Sequence, residues 1–215
     1  MDDDVKRRPY DSPSRRAKSD ATRARIMHAA ADLFVAQGYA ATSTRTVAAK
    51  AGASEASVFA NFASKAGLLS SVIVDRVTTD ADFPLSSAGA VVAGMPRRAA
   101  VAAFARIVRR AHARTWRLLA VGAAAAADDA DLAATMRRGA ERRLLDIRWF
   151  AETVLGAPDS ERVAESIWAV AAVEPYRHLI IERVWSDEAY EEWLARMILA
   201  TVEGTAVSEG EGEVS

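Results

Sequence analysis

The chain has 215 residues, 51% apolar and 27% charged, with a net charge of −1, which fits one large domain or a small domain joined to a larger one. It has no cysteine, and this excludes disulfides, thiolate metal sites and thiol redox sensing. The charge is unevenly spread: residues 5–65 hold eleven Lys or Arg against four Asp or Glu, and residues 66–215 hold seventeen against twenty-two, so the first part suits an anionic partner better than the second.

The opening MDDDVKRRPY lacks an apolar signal core, and no uninterrupted apolar run is long enough to span a bilayer, so a cytoplasmic location without a membrane partner is expected. Residues 1–19 mix Asp, Arg, Lys, Pro and Ser with few apolar residues and are expected to be a disordered basic tail. From residue 20 onward the abundance of Ala, with little Gly or Pro inside the apolar stretches, predicts an all-α fold. Asp20 can cap a first helix over 21–37, whose apolar face repeats at Ile26, Ala29, Ala30, Leu33 and Phe34, and Gly38 supplies its stop.

Two short helices and a longer one follow. Ser43 can cap a helix over 44–51 that Gly52 ends. Ser54 can cap the next, over 55–61, and Ser64 a longer one that starts at Lys65 and carries Leu68, Leu69, Val72 and Ile73. Ala48 and Ala51 let the first two approach closely, and Gly52 tolerates the turn between them. The second helix is too short to stand alone; neighbours must hold it while its outer face stays small and polar, as a helix needs to enter a DNA major groove.

The segment 43–62, STRTVAAKAGASEASVFANF, together with Leu33, Phe34, Gly38, Tyr39, Ser64, Lys65 and Leu68, resembles the TetR family of regulators. The likeness covers residues 21–70. It implies an all-α protein: a DNA-binding helix-turn-helix domain at 20–81, then a larger helical ligand-binding and dimerisation domain at 95–204. It also implies a homodimeric repressor that binds palindromic double-stranded operator DNA and is released by a small-molecule effector. Position by position, Ser43, Thr44 and Arg45 match places that touch DNA backbone or bases. Ser54, Glu55, Ala56 and Ser57 match the start of the groove-facing helix, and Phe59, Asn61 and Lys65 match places that contact phosphate. Phe59 stands where the family usually has Tyr, which removes a phenolic hydrogen bond. Glu55 is acidic at a groove-facing place; it could accept from a cytosine amino group, or cap its own helix and repel phosphate.

The stretch DFPLSSAGAVVAGMP breaks the helical pattern and marks the boundary to the larger domain. Beyond it, helices are predicted near 97–113, 114–127, 129–155, 159–184 and 187–204, and residues 205–215 form an acidic, Gly-rich tail expected to be disordered. If 104–119 is one helix, Arg106, Arg109, Arg110, Arg114 and Arg117 share a face, usually a solvated one. Tyr190, Trp193, Met197 and Ile198 form a stripe suited to pairing the last two helices with a second copy, or to an intramolecular pair. Pro175 should kink the helix at 159–184, and a Glu174–His178 hydrogen bond is within reach at that spacing. Glu174, His178 and Arg143 sit on apolar faces; they either pair with one another or line an effector cavity with Trp116, Phe150 and Trp168.

The three His residues show no metal spacing, and no Ser-His-acid signature, phosphate loop or dinucleotide loop appears. No cofactor, no metal and no enzymatic activity are therefore expected. A helical-bundle enzyme and a protein-binding adaptor are the alternative readings.

Overall fold

Helix without strand is what the alanine-rich composition dictates, and the computed structural model bears this out over the residues it describes, 13–78, 92 and 94–210. Helix α1 spans Pro13–Ala41. It begins earlier than the predicted 21–37, so residues 13–19 are helical where a disordered tail was expected, and Asp20 lies inside the helix instead of capping it. Proline suits a first helical position because its φ is already helical and its missing amide is not needed there. The rest of that expected tail, residues 1–12, lies outside the described residues. Gly38 interrupts α1 at φ 81°, a conformation nearly free of steric cost only for glycine. The interruption turns Tyr39 inward, to stack on Phe34 at 5.7 Å between ring centroids.

Helices α2 (Thr44–Ala51), α3 (Glu55–Phe62) and α4 (Lys65–Thr78) follow as predicted. Their inner residues Val47, Val58, Leu68 and Leu69 are fully buried with Ile26 and Phe34 of α1. The joint between α3 and α4 rests on Ala63 at φ 62° and ψ −45°. A left-handed alanine stores about 1 kcal/mol or more of strain. Ala63→Gly should therefore raise the melting temperature by roughly 2–4 °C, a shift that differential scanning calorimetry would read directly.

The larger part differs more from its sequence pattern. Helix α5 runs unbroken over Arg97–Ala125 where two helices were predicted. Helix α6 (Ala130–Trp149), capped by Asp129, continues into a π-helical turn at Phe150–Val154. The single kinked helix expected at 159–184 is instead broken into α7 (Ser160–Val170), α8 (Val173–Tyr176) and a second π-helical turn at Arg177–Glu182. Pro175 cannot donate to the carbonyl of Ala171, and the break falls at Ala171–Ala172, so the proline starts a new helix where a kink was predicted. Helix α9 covers Asp187–Gly210, reaching six residues into the stretch read as a frayed tail; residues 211–215 lie outside the described region.

Two cores organise these helices. The first, formed by α1–α4, is completed by Leu118 of α5 and Leu132 of α6. The stretch 82–96, read as the boundary between the two parts, lies mostly outside the described residues. The second joins α5–α9 around Val101, Phe150, Leu155, Ile167, Tyr190 and Leu194. Tyr190 and Ile198, expected on a dimer surface, are fully buried in this second core, with Trp193 packed against it. That stripe therefore serves the chain's own fold. Nor is the arginine face of α5 simply solvated: Arg109, 18% exposed, pairs with Glu191 and Asp187 at 2.9 Å each, and Arg106 meets Glu191 at 3.6 Å. These pairs seat α9 against α5. No single helix among the described residues is long and apolar enough to cross a membrane.

Candidate functional site

The helix-turn-helix is built by two serine caps. Ser43 Oγ accepts from the Thr46 amide at 3.0 Å, and Thr46 Oγ1 accepts from the Ser43 amide at 3.0 Å, a reciprocal capping box with Thr in the place of the usual Glu. Ser54 Oγ accepts from the Ser57 amide at 3.1 Å and shares a 2.8 Å hydrogen bond with the Ser57 hydroxyl. Between the helices, Gly52 at φ 60° lets the Gly52 and Ala53 amides return to Ala49 and Ala48. Both helix starts keep orphan amides with the positive end of the helix dipole, a setting that favours anions.

Around this frame, Ser43, Arg45, Ser54, Ala56 and Phe59 face solvent. Phe59, 48% exposed, is the large apolar residue presented by α3. Asn61 turns back on its own helix, donating to the Ser57 carbonyl at 2.7 Å, and Arg23 of α1 donates to the Asn61 carbonyl at 3.0 Å. Arg25 donates to the Ala51 carbonyl at the end of α2. Arg23 and Arg25 therefore close carbonyl ends of the two short helices, a role that spacing alone did not reveal. Glu55 is committed within the chain. Its Oε1 accepts from Thr44 Oγ1 at 2.6 Å and its Oε2 lies 3.7 Å from Arg45 Nε.

Lys65, at the start of α4, donates to the Tyr39 carbonyl at 3.1 Å and lies 4.0 Å above the Tyr39 ring. The Tyr39 hydroxyl in turn lies near the carboxylate of Asp129, the residue that caps α6. Burial, reinforced by that carboxylate, holds the phenol well above its ordinary pKa, while the Leu132 amide and Tyr39 hold Asp129 below its own. Ser64 donates to Asp131 at 2.8 Å. The joint between α3 and α4 is thus tied to the first turn of α6 by a hydrogen bond. Sequence reading missed this junction because its partners lie about 65 or more residues apart.

The six residues expected to line a ligand cavity do not all converge. Phe150 is buried and stacked on Phe104 at 4.6 Å. Trp116 is half-buried, with the Arg117 guanidinium 5.1 Å from its ring. His178 is exposed and bonds Glu182 at 2.8 Å, not Glu174; the π-helical turn changes which side chains meet. Glu174 is exposed as well. Arg143 and Trp168 do meet: the guanidinium lies 5.5 Å over the indole, and Arg143 Nε is buried without a hydrogen-bond partner. Burial lowers the Arg143 pKa and Glu174 opposes the shift. Leu132, on the same helix as Arg143, belongs to the first core. The residue sequence reading overlooked is His112 of α5, which is buried, with Nε2 at 3.0 Å from the Ala171 carbonyl. That is the carbonyl Pro175 leaves open. A cleft of about 320 Å³ between α1 and α4, floored by Met27 and Val74, holds none of the six.

Residues 26–72 match the family described as bacterial regulatory proteins, tetR family. The chain is 46% identical over 52 residues to the uncharacterized HTH-type transcriptional regulator YvkB of Bacillus subtilis (strain 168); the match takes in 24% of this chain and 28% of the relative's length. Solved structures share the fold over much more of the chain. One is a transcriptional regulator from Rhodococcus sp. Rha1, with TM-score 0.61 at 22% identity, covering 85% of this chain and 96% of that one. Another is NalD, the secondary repressor of the MexAB-OprM multidrug efflux pump in Pseudomonas aeruginosa, with TM-score 0.63 at 16% identity, covering 86% and 98%.

Proposed function

We propose that this chain, whose residues 26–72 match the tetR family of bacterial regulatory proteins, is a member of that family and acts as a homodimeric repressor of palindromic operator DNA, released by a small-molecule effector. The observation that carries the reading is the pair of capped helices, α2 and α3, whose starts are joined by Arg45 and Glu55 and which expose Arg45 and Phe59. A two-fold dimer presents two such pairs, and its site is an inverted repeat with half-sites on one face of the duplex. The C-terminal domain supplies dimerisation through the faces of its last helices that the second core leaves open. Trp168, Ile181, Val184 and Trp185 are exposed on α7 and on the segment leading into α9, and exposed apolar residues of this kind mark interaction surfaces.

Support for effector control comes from α6. Its first turn is bonded to Ser64 and lies near the Tyr39 hydroxyl, and roughly 20 Å further along the same helix stands Arg143, with its buried, unpaired Nε and its indole neighbour. A buried N–H without a hydrogen-bond partner is costly, so a ligand that accepts from the Arg143 Nε has a differential interaction to convert into movement of α6. NalD is the repressor of an efflux pump; control of an export function by an amphipathic effector is the analogous role here.

Selection from random duplexes by the purified protein tests the reading; enrichment of no inverted repeat would sink it. In the same assay Lys65→Ala should weaken binding evenly across sequences and flatten the salt dependence by about one unit of log–log slope. A change in base preference instead would remove Lys65 from the phosphate contacts.

A further inference from the structure

Glu55 occupies the first position of α3, where an unpaired carboxylate would face the groove. It is not unpaired. Its Oε1 accepts from the Thr44 hydroxyl at 2.6 Å, and its Oε2 lies 3.7 Å from Nε of Arg45, whose side chain is otherwise 87% exposed. The Glu55 side chain itself is 38% exposed. Its two anchors stand on α2, and both lie within the first turn of that helix. The carboxylate therefore bridges the two helix starts and draws the guanidinium toward α3.

We propose that Glu55 is a positioning residue that aims Arg45 at a guanine in the major groove, an inference that rests on the DNA-binding reading above. Three features favour this over a phosphate contact for Arg45 or a base contact for Glu55. The ion pair engages the Nε edge and leaves the terminal nitrogens to donate to guanine O6 and N7. The neighbouring carboxylate offsets the arginine charge, which weakens attraction to an anionic phosphate but suits the neutral acceptors of a base edge. Glu55, already accepting from Thr44 and facing a cation, is poorly free to accept from a cytosine amino group. Fixing a flexible arginine before binding also reduces the rotamer freedom lost in the complex.

The test is duplex selection and salt titration with wild type, Arg45→Ala, Glu55→Gln and the double variant, each checked for an unchanged melting transition. Glu55→Gln keeps a group that can accept from Thr44 and removes only the charge. Wild type should prefer guanine at one position per half-site by roughly 5- to 150-fold, the range of a good bidentate contact. Arg45→Ala should abolish that preference, Glu55→Gln should reduce it several-fold at the same position, and the double variant should be no worse than Arg45→Ala. Glu55→Gln should also steepen the salt dependence, because the freed arginine becomes a net cation. The proposal is overturned if Glu55→Gln alters a different position, since Glu55 would then read its own base. It is equally overturned if Arg45→Ala weakens all sequences alike, which would place Arg45 on phosphate, or if Glu55→Gln leaves every preference intact. Wild type that enriches no sequence would overturn the DNA-binding reading along with it.

Discussion

Acidification from pH 7.5 to pH 4.5 should cost the protein about 2–3 kcal/mol through His112 alone. The side chain is 5% exposed, and burial is the main force that pushes its pKa down to about 4; the positive charge of Arg143 on α6 adds to the shift, and the Ala171 carbonyl and Glu174 oppose it. The ring of Tyr176 on α8 lies 5.7 Å away. In the unfolded chain the same imidazole titrates near 6.5. Between those two values the unfolded state binds more protons than the folded one, so stability is complete above pH 6.5 and falls as pH drops toward 4. About two units of the gap are traversed by pH 4.5, at about 1.4 kcal/mol each. Urea unfolding of wild type and His112→Gln at the two pH values isolates the effect. The variant loses some stability at pH 7.5, because Ala171 must find a donor of different reach, but its loss on acidification should be smaller than wild type's by the stated amount. Equal acid losses in the two proteins would mean that His112 does not titrate from a buried neutral state.

Why His112 escaped sequence reading shows what a single sequence carries. The helix-turn-helix was legible because its determinants are local: Ser43 and Thr46, Ser54 and Ser57, and Gly52 each act within a few residues of where they stand. The apolar faces of α1 and α4 were legible by the same short-range periodicity. His112 and Ala171 lie 59 positions apart, and only the break that Pro175 imposes makes the carbonyl available. The proline was recognised, but a kink and a break have the same local cause. Tertiary packing, here a histidine supplying the missing donor, decides between them. Glu174 and His178 had a sound four-residue spacing for an α-helix, but between them the α-helical turn passes into the π-helical one. The aromatic stripe at Tyr190 and Trp193 had the right period for any buried face. Whether such a face meets a second copy or its own chain is not a local property. Arg109, binding Glu191 and Asp187 across about 80 residues, brings the inner face of α9 against α5.

With the α9 stripe buried in the second core, Leu194→Ala should cost about 3–5 kcal/mol. Leu194 is fully buried, between the fully buried Tyr190 and Ile198 on the same face of α9. Truncating a leucine in such surroundings loses the transfer energy of the removed carbons and leaves a cavity that rigid neighbours fill only partly. The neighbours here have little freedom to fill it. Tyr190 is held edge-on to Tyr176 at 5.5 Å and tilted against Trp193 at 5.7 Å, and α9 is fastened to α5 by the Arg109 pairs. Burial also raises the Tyr190 pKa, and its hydroxyl has no partner, so the tyrosine already carries an unsatisfied polar group that a loosened core would expose to water. The concentration dependence separates a core role from an interface role. For a core residue the loss measured by denaturant unfolding is the same at any protein concentration, and the folded variant keeps its oligomeric state. For an interface residue the penalty appears as a higher dissociation constant, so the loss is absent where both proteins are monomers and grows as protein concentration rises through the wild-type dissociation constant. Chemical denaturation of wild type and Leu194→Ala over a hundredfold range of concentration, with sedimentation of both proteins, reads the difference. A destabilisation under about 1 kcal/mol, or one that vanishes on dilution, would return the α9 stripe to the dimer surface.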